Sequence, residues 1–268
     1  MDTTWLMAYL GLGATVGFFA GLLGIGGGGI MVPVLTSLFA LQGFPSEHLV
    51  HMALASSMAA IIITSISSLR AHHRHGAVLW PVVTKIAPGI ILGTFAGAIL
   101  AGLIASKPLA IFFVCFMAYI ALQMLINIKP KPSRQLPGSL GLSIAGLMIG
   151  AISALVAIGG GSLSVPFMTW CNVKIQNAIG TSAAIGLPIA LSGTLGYLIS
   201  GWQVQNLPDY SWGYIYFPAV ICIAAVSLFT APLGASLAHK LPVAMLKKLF
   251  ALMLIILSLK MLNTVLFS

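Results

Sequence analysis

Apolar residues run through this chain in long blocks separated by short polar or glycine-rich stretches. The blocks cover residues 5–23, 30–41, 48–69, 80–104 and 108–128, then 139–158, 163–171, 175–200, 212–238 and 243–266. Most reach the roughly 20 residues that a helix needs to cross a bilayer. The short block 30–41 would rise only ~18 Å as a helix, and 163–171 is shorter still. The segment KPKPSRQLPG at 129–138, rich in proline and charge, divides the chain almost in half. This pattern predicts an all-α polytopic membrane protein with a single transmembrane transporter domain. Repeat one is 5–128, the linker 129–138 and repeat two 139–266.

The two halves carry the same interruption. GIGGGGIMVPV at 24–34 recurs as AIGGGSLSVPF at 157–167, so that Ile25 and Pro33 match Ile158 and Pro166 at one spacing. Each glycine destabilises a helix interior by roughly 1 kcal/mol. In lipid, such a break is tolerated only inside protein or beside a polar cavity. Matched, broken segments in two halves of a membrane protein point to a transporter binding site. Further matches support the duplication: Ala53–Ser57 parallels Ala178–Ser182, and Gly97–Ala101 parallels Gly234–Ala238.

Composition agrees with a membrane protein. Charged residues make up 6% of the chain and apolar ones 59%, against about 25% charged in soluble domains. The mean hydropathy is +1.09. The net charge of +9 reflects a shortage of acids, since only Asp2, Glu47 and Asp209 are present. The cations flank apolar blocks, where they act as topology signals rather than as a nucleic-acid surface. Cys115, Cys171 and Cys222 lack metal or redox spacing and read as packing residues. His72, His73 and His75 read as a solvated basic loop rather than a metal site. Gly24, Gly26 and Gly29 satisfy G-x-G-x-x-G, but no strand–helix unit surrounds them, so no nucleotide site is expected. No cofactor is expected, and the chain offers no catalytic set that would make it an enzyme.

Lysine and arginine positions then choose the topology. If each broken segment crosses the membrane, the cations split six to five between the two sides. If each enters and returns to the same side, ten lie inside and Lys107 alone lies outside, with Lys260 inside a span left uncounted. The positive-inside rule therefore predicts two inverted-topology repeats. Each is a Gly-broken helical hairpin plus three transmembrane helices, with both termini periplasmic. Trp202, Tyr210, Trp212, Tyr214 and Tyr216 would form an outer aromatic belt.

In such hairpins a short helix begins just after the glycines, with Pro33 or Pro166 near its first turns. Its free N–H groups and positive dipole end attract an anion, and glycine lets the ligand approach closely. The candidate anion-binding residues are Gly26, Gly27, Gly28 and Gly29 with Gly159, Gly160, Gly161 and Ser162. Ser56, Ser57, Thr181 and Ser182, at equivalent places on the following spans, offer hydroxyl donors. His51 and Asn177 lie near the breaks and complete the set. The bland alternative is that the glycines serve helix packing in a non-transporting assembly or accessory protein. No Asp or Glu sits within a span, which argues against a cation substrate.

The doubled G-x-G-G-G…V-P signature and the A-x-G-T-S motif of the second half resemble the sulfite exporter TauE/SafE family, over about residues 8–266. The resemblance implies a bacterial inner-membrane permease for sulfur-containing or organic anions such as sulfite or sulfoacetate. The family's glycine and hydroxyl positions fall on Gly26, Gly27, Gly28, Gly159, Gly160, Gly161, Thr181 and Ser182. The first half departs from the motif, with Ala55-Ser56-Ser57 in place of Gly180-Thr181-Ser182. The expected partners are a small anion and membrane lipids, not nucleic acid, and a homo-oligomer is compatible with this reading.

Overall fold

The computed structural model describes residues 2–23, 26–126, 134–237 and 243–267. The first half contains α1 (Thr3–Leu23), α2 (Gly28–Leu41), α3 (Leu49–Arg74), α4 (Trp80–Leu103) and α5 (Ser106–Ile126). The second contains α6 (Ser139–Val156), α7 (Gly161–Trp170), α8 (Ile175–Ser200), α9 (Phe217–Leu237) and α10 (Val243–Phe267). A two-stranded antiparallel ribbon, β1 (Ser211–Trp212) and β2 (Ile215–Tyr216), precedes α9. The sequence pattern extends the ninth helix back to residue 212. The chain instead turns at Gly213, whose φ of +53° lies in the left-handed region that glycine adopts readily.

Among the described residues, eight helices are long and apolar enough to cross a membrane; α2, with 14 residues, is shorter. Large apolar side chains such as Leu103, Leu140 and Phe229 are exposed on the outer surface, which only lipid accommodates at this density. The interior belongs to α3 and α8. The share of buried residues is 78% and 61% in their apolar windows, against 33–44% in the other six. They pack against each other at the centre, and α5 pairs with α10. Further packings also cross between the halves: α1 packs on α9 as α6 packs on α4, and α3 packs on α9 as α8 packs on α4, while α2 lies on α3 and α7 on α8 within each half.

Small residues make the cross-half seams. A Cβ added to Gly89 would lie 1.8 Å from the Ser143 carbonyl oxygen, and one on Gly93 2.1 Å from that of Leu147. Gly13 and Gly17 of α1 meet the backbones of Ile223 and Ser227 in the same way. The helix axes approach until backbone touches backbone, the usual source of association where lipid removes the hydrophobic driving force. The packing role of glycine is thus real, on α1, α4, α6 and α9 and also on α8, where Gly180 meets Ala77 and Gly196 meets Phe95.

Both glycine-broken segments turn back on themselves. Gln42, which caps the end of α2, donates a hydrogen bond to the Tyr9 hydroxyl in the first third of α1. At the end of α7, Trp170 accepts a backbone hydrogen bond from Arg134 at 3.4 Å and carries its guanidinium 4.9 Å from the ring centroid. Arg134 stands just before α6, so the second segment also returns towards its start.

Apart from Lys260 within α10, the cations among the described residues sort by face; Lys129, Lys131 and Lys240, counted in the sequence reading, lie outside the described residues. Arg70 and Arg74 end α3, Lys85 begins α4, Arg134 precedes α6, Lys174 precedes α8 and Lys248 lies near the start of α10. These termini form one face, tied together by Leu79 N–H to Thr181 and Ser143 Oγ to the Lys85 carbonyl. Lys107 lies on the opposite face, where it lines a cleft with the end of α10 at Val265.

Candidate functional site

The two tips meet. A Cβ built on Gly26 would lie 2.7 Å from the Gly159 Cα and 2.8 Å from its nitrogen, while one on Gly28 would lie 1.6 Å from the Ala157 carbonyl oxygen. Only glycine allows this contact. Gly27 and Gly160 cap α2 and α7 with φ of +80° and +81°, left-handed values that disfavour any other residue. The amides of Ile30 and Met31 bond the Gly27 carbonyl, and those of Leu163 and Ser164 bond that of Gly160. The amides of Gly28, Gly29, Gly161 and Ser162, at the two helix starts, have no acceptor within their own helices.

The meeting point lies halfway along the central helices. Gly28 faces Ile61 in the middle of α3, and Gly160 faces Ile185 and Ile189 around the middle of α8. A cavity of about 10 Å³ sits there, lined by Gly26, Gly159, Gly186, Thr64, Ser65 and Ser68, with Ala20 and Ala183 completing the wall. That volume holds about one water-sized sphere, so this conformation is nearly closed around the tips. Gly186 keeps the space open: its Cβ would lie 3.0 Å from Ser65 Oγ and 3.1 Å from the Gly159 carbonyl oxygen.

The hydroxyls singled out by repeat equivalence take other places. Ser56 Oγ accepts the backbone N–H of Tyr216 at 3.0 Å, and Thr181 Oγ1 accepts that of Leu79 at 3.0 Å. Each ties the chain just before a helix of the other half, α9 or α4, to a central helix. Ser182 Oγ accepts from Ser164 Oγ at 2.9 Å, and Ser164 also contacts the Gly160 carbonyl at 2.8 Å, so this pair braces the second tip. Ser57 and Ser162 are buried with no hydrogen-bond partner for their hydroxyls. Neither lines the cavity, and Gly29 faces Leu254 and Met117 on α10 and α5.

His51 and Asn177 stand at helix ends. His51 Nε2 lies 3.1 Å from the Ala101 carbonyl and 2.9 Å from that of Ile104, serving the last turn of α4. Its ring stacks on Tyr214 with centroids 5.0 Å apart, in a cleft of about 680 Å³ on the face opposite the cations. Burial pushes the Tyr214 phenol above its ordinary value. Asn177 donates to the Ala77 carbonyl at 3.5 Å, next to the start of α4. Tyr214 and Tyr216 are buried against neighbouring rings, so the aromatic belt reduces to the exposed Trp202, Tyr210 and Trp212.

Sequence reasoning passed over Thr64, Ser65, Ser68 and Gly186. The available signal was TSISS at 64–68, four hydroxyls in five residues of an apolar span. Among the described residues, no three His, Cys, Asp or Glu side chains gather as a metal-binding group.

A bundle with apolar outer helices and paired, broken segments closing on a polar cavity is the architecture of a membrane transporter. The chain belongs to the sulfite exporter TauE/SafE family, whose model matches residues 9–261. A probable membrane transporter protein of Haemophilus influenzae is 41% identical over 259 residues, covering 96% of this chain and 98% of its own length. Another, from Methanocaldococcus jannaschii, is 25% identical and covers 86% of this chain and 85% of its own length. A third, YunE of Bacillus subtilis, is 24% identical and covers 96% and 97%. No solved structure matches the chain. The protein is a multi-pass membrane transporter.

Proposed function

We propose that the protein is a permease that exports small sulfur-containing or organic anions, such as sulfite or sulfoacetate, across the bacterial inner membrane. It works by alternating access around the two glycine tips. The observation that carries this reading is the backbone contact of Gly26 with Gly159 inside a hydroxyl-lined cavity halfway along α3 and α8. Two helix N-termini approach one point, each favouring an anion by about 0.3–1 kcal/mol when exposed and up to ~2 kcal/mol when partly buried. Charge-assisted hydrogen bonds from nearby hydroxyls add about 1.5–3 kcal/mol each. Together these offset the dehydration of a small anion without a buried lysine.

The returning segments and the sorted cations support inverted repeats with both termini periplasmic, since each half then makes three crossings. Export follows from the sign of the potential: an interior-negative membrane drives each negative charge outward with about 2.3 kcal/mol per 100 mV. The test is flux of radiolabelled sulfite and sulfoacetate in proteoliposomes, with sodium and potassium as cation comparisons. Saturable anion flux with no cation flux is expected. Absence of flux for every anion would leave the glycines a packing role in an accessory protein.

A further inference from the structure

We propose that a hydroxyl stripe on the second half of α3, formed by Ser65, Ser68 and His72, is a one-sided passage for a small inorganic oxyanion between the glycine tips and the cationic face. The proposal rests on the reading of the tips as an anion site and assigns the side from which that site fills.

Four observations carry it. First, Ser65 and Ser68 line the cavity that holds Gly26 and Gly159. Secondly, spacings of three and four residues place Ser65, Ser68 and His72 on one face of α3, and all three are buried. Thirdly, Ser68 Oγ, on a residue only 6% exposed, has no hydrogen-bond partner. Serine and threonine in membrane helices ordinarily bond back to their own carbonyls, as Thr36, Ser37, Thr169 and Ser192 do here. A buried hydroxyl left unpaired carries a penalty that a bound oxyanion removes. Fourthly, the stripe ends beside Arg70 and Arg74, whose positive field concentrates anions at its mouth.

The second half lacks the counterpart. The register that equates Ser56 with Thr181 places Ile189, Ala190 and Gly193 opposite Thr64, Ser65 and Ser68. The space at Gly193 is taken by Met58 Sδ and Thr94 Cγ2, each 3.2 Å from an added Cβ. Ile189 Cδ1 presses on Gly160 at 2.6 Å from an added Cβ, while Ile61 holds the place equivalent to Gly186. The hydroxyl wall of the cavity therefore lies on the cationic-face side of the tips, at Ser65 and Ser68, and apolar side chains stand on the other side. Its narrowness favours a compact ion with three or four oxygens over a long organic anion.

The test uses full-length protein in oriented proteoliposomes, with Cys115, Cys171 and Cys222 replaced, carrying Ser65→Cys or Ser68→Cys. The probes are an anionic ethylsulfonate methanethiosulfonate and its trimethylammonium counterpart, neither of which crosses membranes. From the cationic face, the anionic reagent should label both variants at least tenfold faster than the cationic one. From the opposite face neither should label, and Ser153→Cys and Ser258→Cys should stay unmodified. In parallel, Ser68→Ala should raise the half-saturating sulfite concentration at least tenfold, while Ser68→Thr keeps the hydroxyl and stays near wild type. Labelling that is absent, equal for the two reagents or confined to the opposite face overturns the passage, even if sulfite flux is present. Labelling as expected without anion flux overturns the transport reading and leaves the passage standing.

Discussion

Gly26 and Gly159 face each other with no side chain between them, an added Cβ on Gly26 falling 2.7 Å from the Gly159 Cα. Two chain segments 133 residues apart thus meet through backbone alone. The nearby Gly28 is still tighter, with the Ala157 carbonyl oxygen 1.6 Å from its added Cβ. Gly28→Ala therefore has to displace a tip, and monodisperse protein in detergent should fall sharply. Gly11→Ala on α1, with nothing within 4 Å, should leave the yield unchanged. Equal yields for the two variants would contradict the contact.

The Ser56 and Thr181 hydroxyls predict a matched pair of stability effects. Ser56→Ala and Thr181→Val strip the acceptor from the Tyr216 and Leu79 amides, and an unsatisfied buried amide costs about 1–3 kcal/mol. Each variant should melt below wild type in a detergent thermal ramp, whereas Ser56→Thr and Thr181→Ser should remain close to it. The two sites bind different helix starts, so the double variant should show nearly the sum of the two losses. Unchanged melting in both would remove the clamp.

These clamps explain what was and was not legible in the sequence. The glycine breaks could be read because a glycine cluster inside an apolar span has few physical uses, and its repetition at one spacing fixed the equivalence. The same search by equivalence selected Ser56 and Thr181, which match because both halves need the same helix tether. It passed over Ser65 and Ser68 because the second half has Ala190 and Gly193 in their places. The ribbon at 211–216 was hidden for another reason: its aromatic residues continue the apolar run into α9, and the tertiary rings around Tyr216 pull them into the protein. Periodicity found the helices; the asymmetry of the cavity required three-dimensional packing.

The sorted cations predict a topology. Reporters fused to either terminus should be active in the periplasm, and a cysteine placed beside Lys107 should react with impermeant reagent from outside intact cells. A cytoplasmic position for both ends would reverse the orientation, and ends on opposite sides would exclude inverted repeats.

Potential dependence follows from carrying charge without a compensating carboxylate. With a clamped potential of 100 mV, a singly charged anion gains about 2.3 kcal/mol, equivalent to roughly a 50-fold gradient at equilibrium. Bisulfite-range and sulfite-range pH values should therefore give different limiting gradients, the dianion being the steeper. Gradients independent of potential would mean electroneutral exchange.

Gly186→Val fills the cavity on an ordinary helical position of α8, without the left-handed backbone that confounds substitutions at Gly27 and Gly160. Potential-driven uptake of radiolabelled sulfite, measured on wild type and Gly186→Val reconstituted at equal density, addresses the tip site directly. Saturable uptake by wild type and background uptake by a Gly186→Val protein of normal helicity and monodispersity is the predicted result. Wild-type uptake by Gly186→Val would contradict an anion site between the glycine tips.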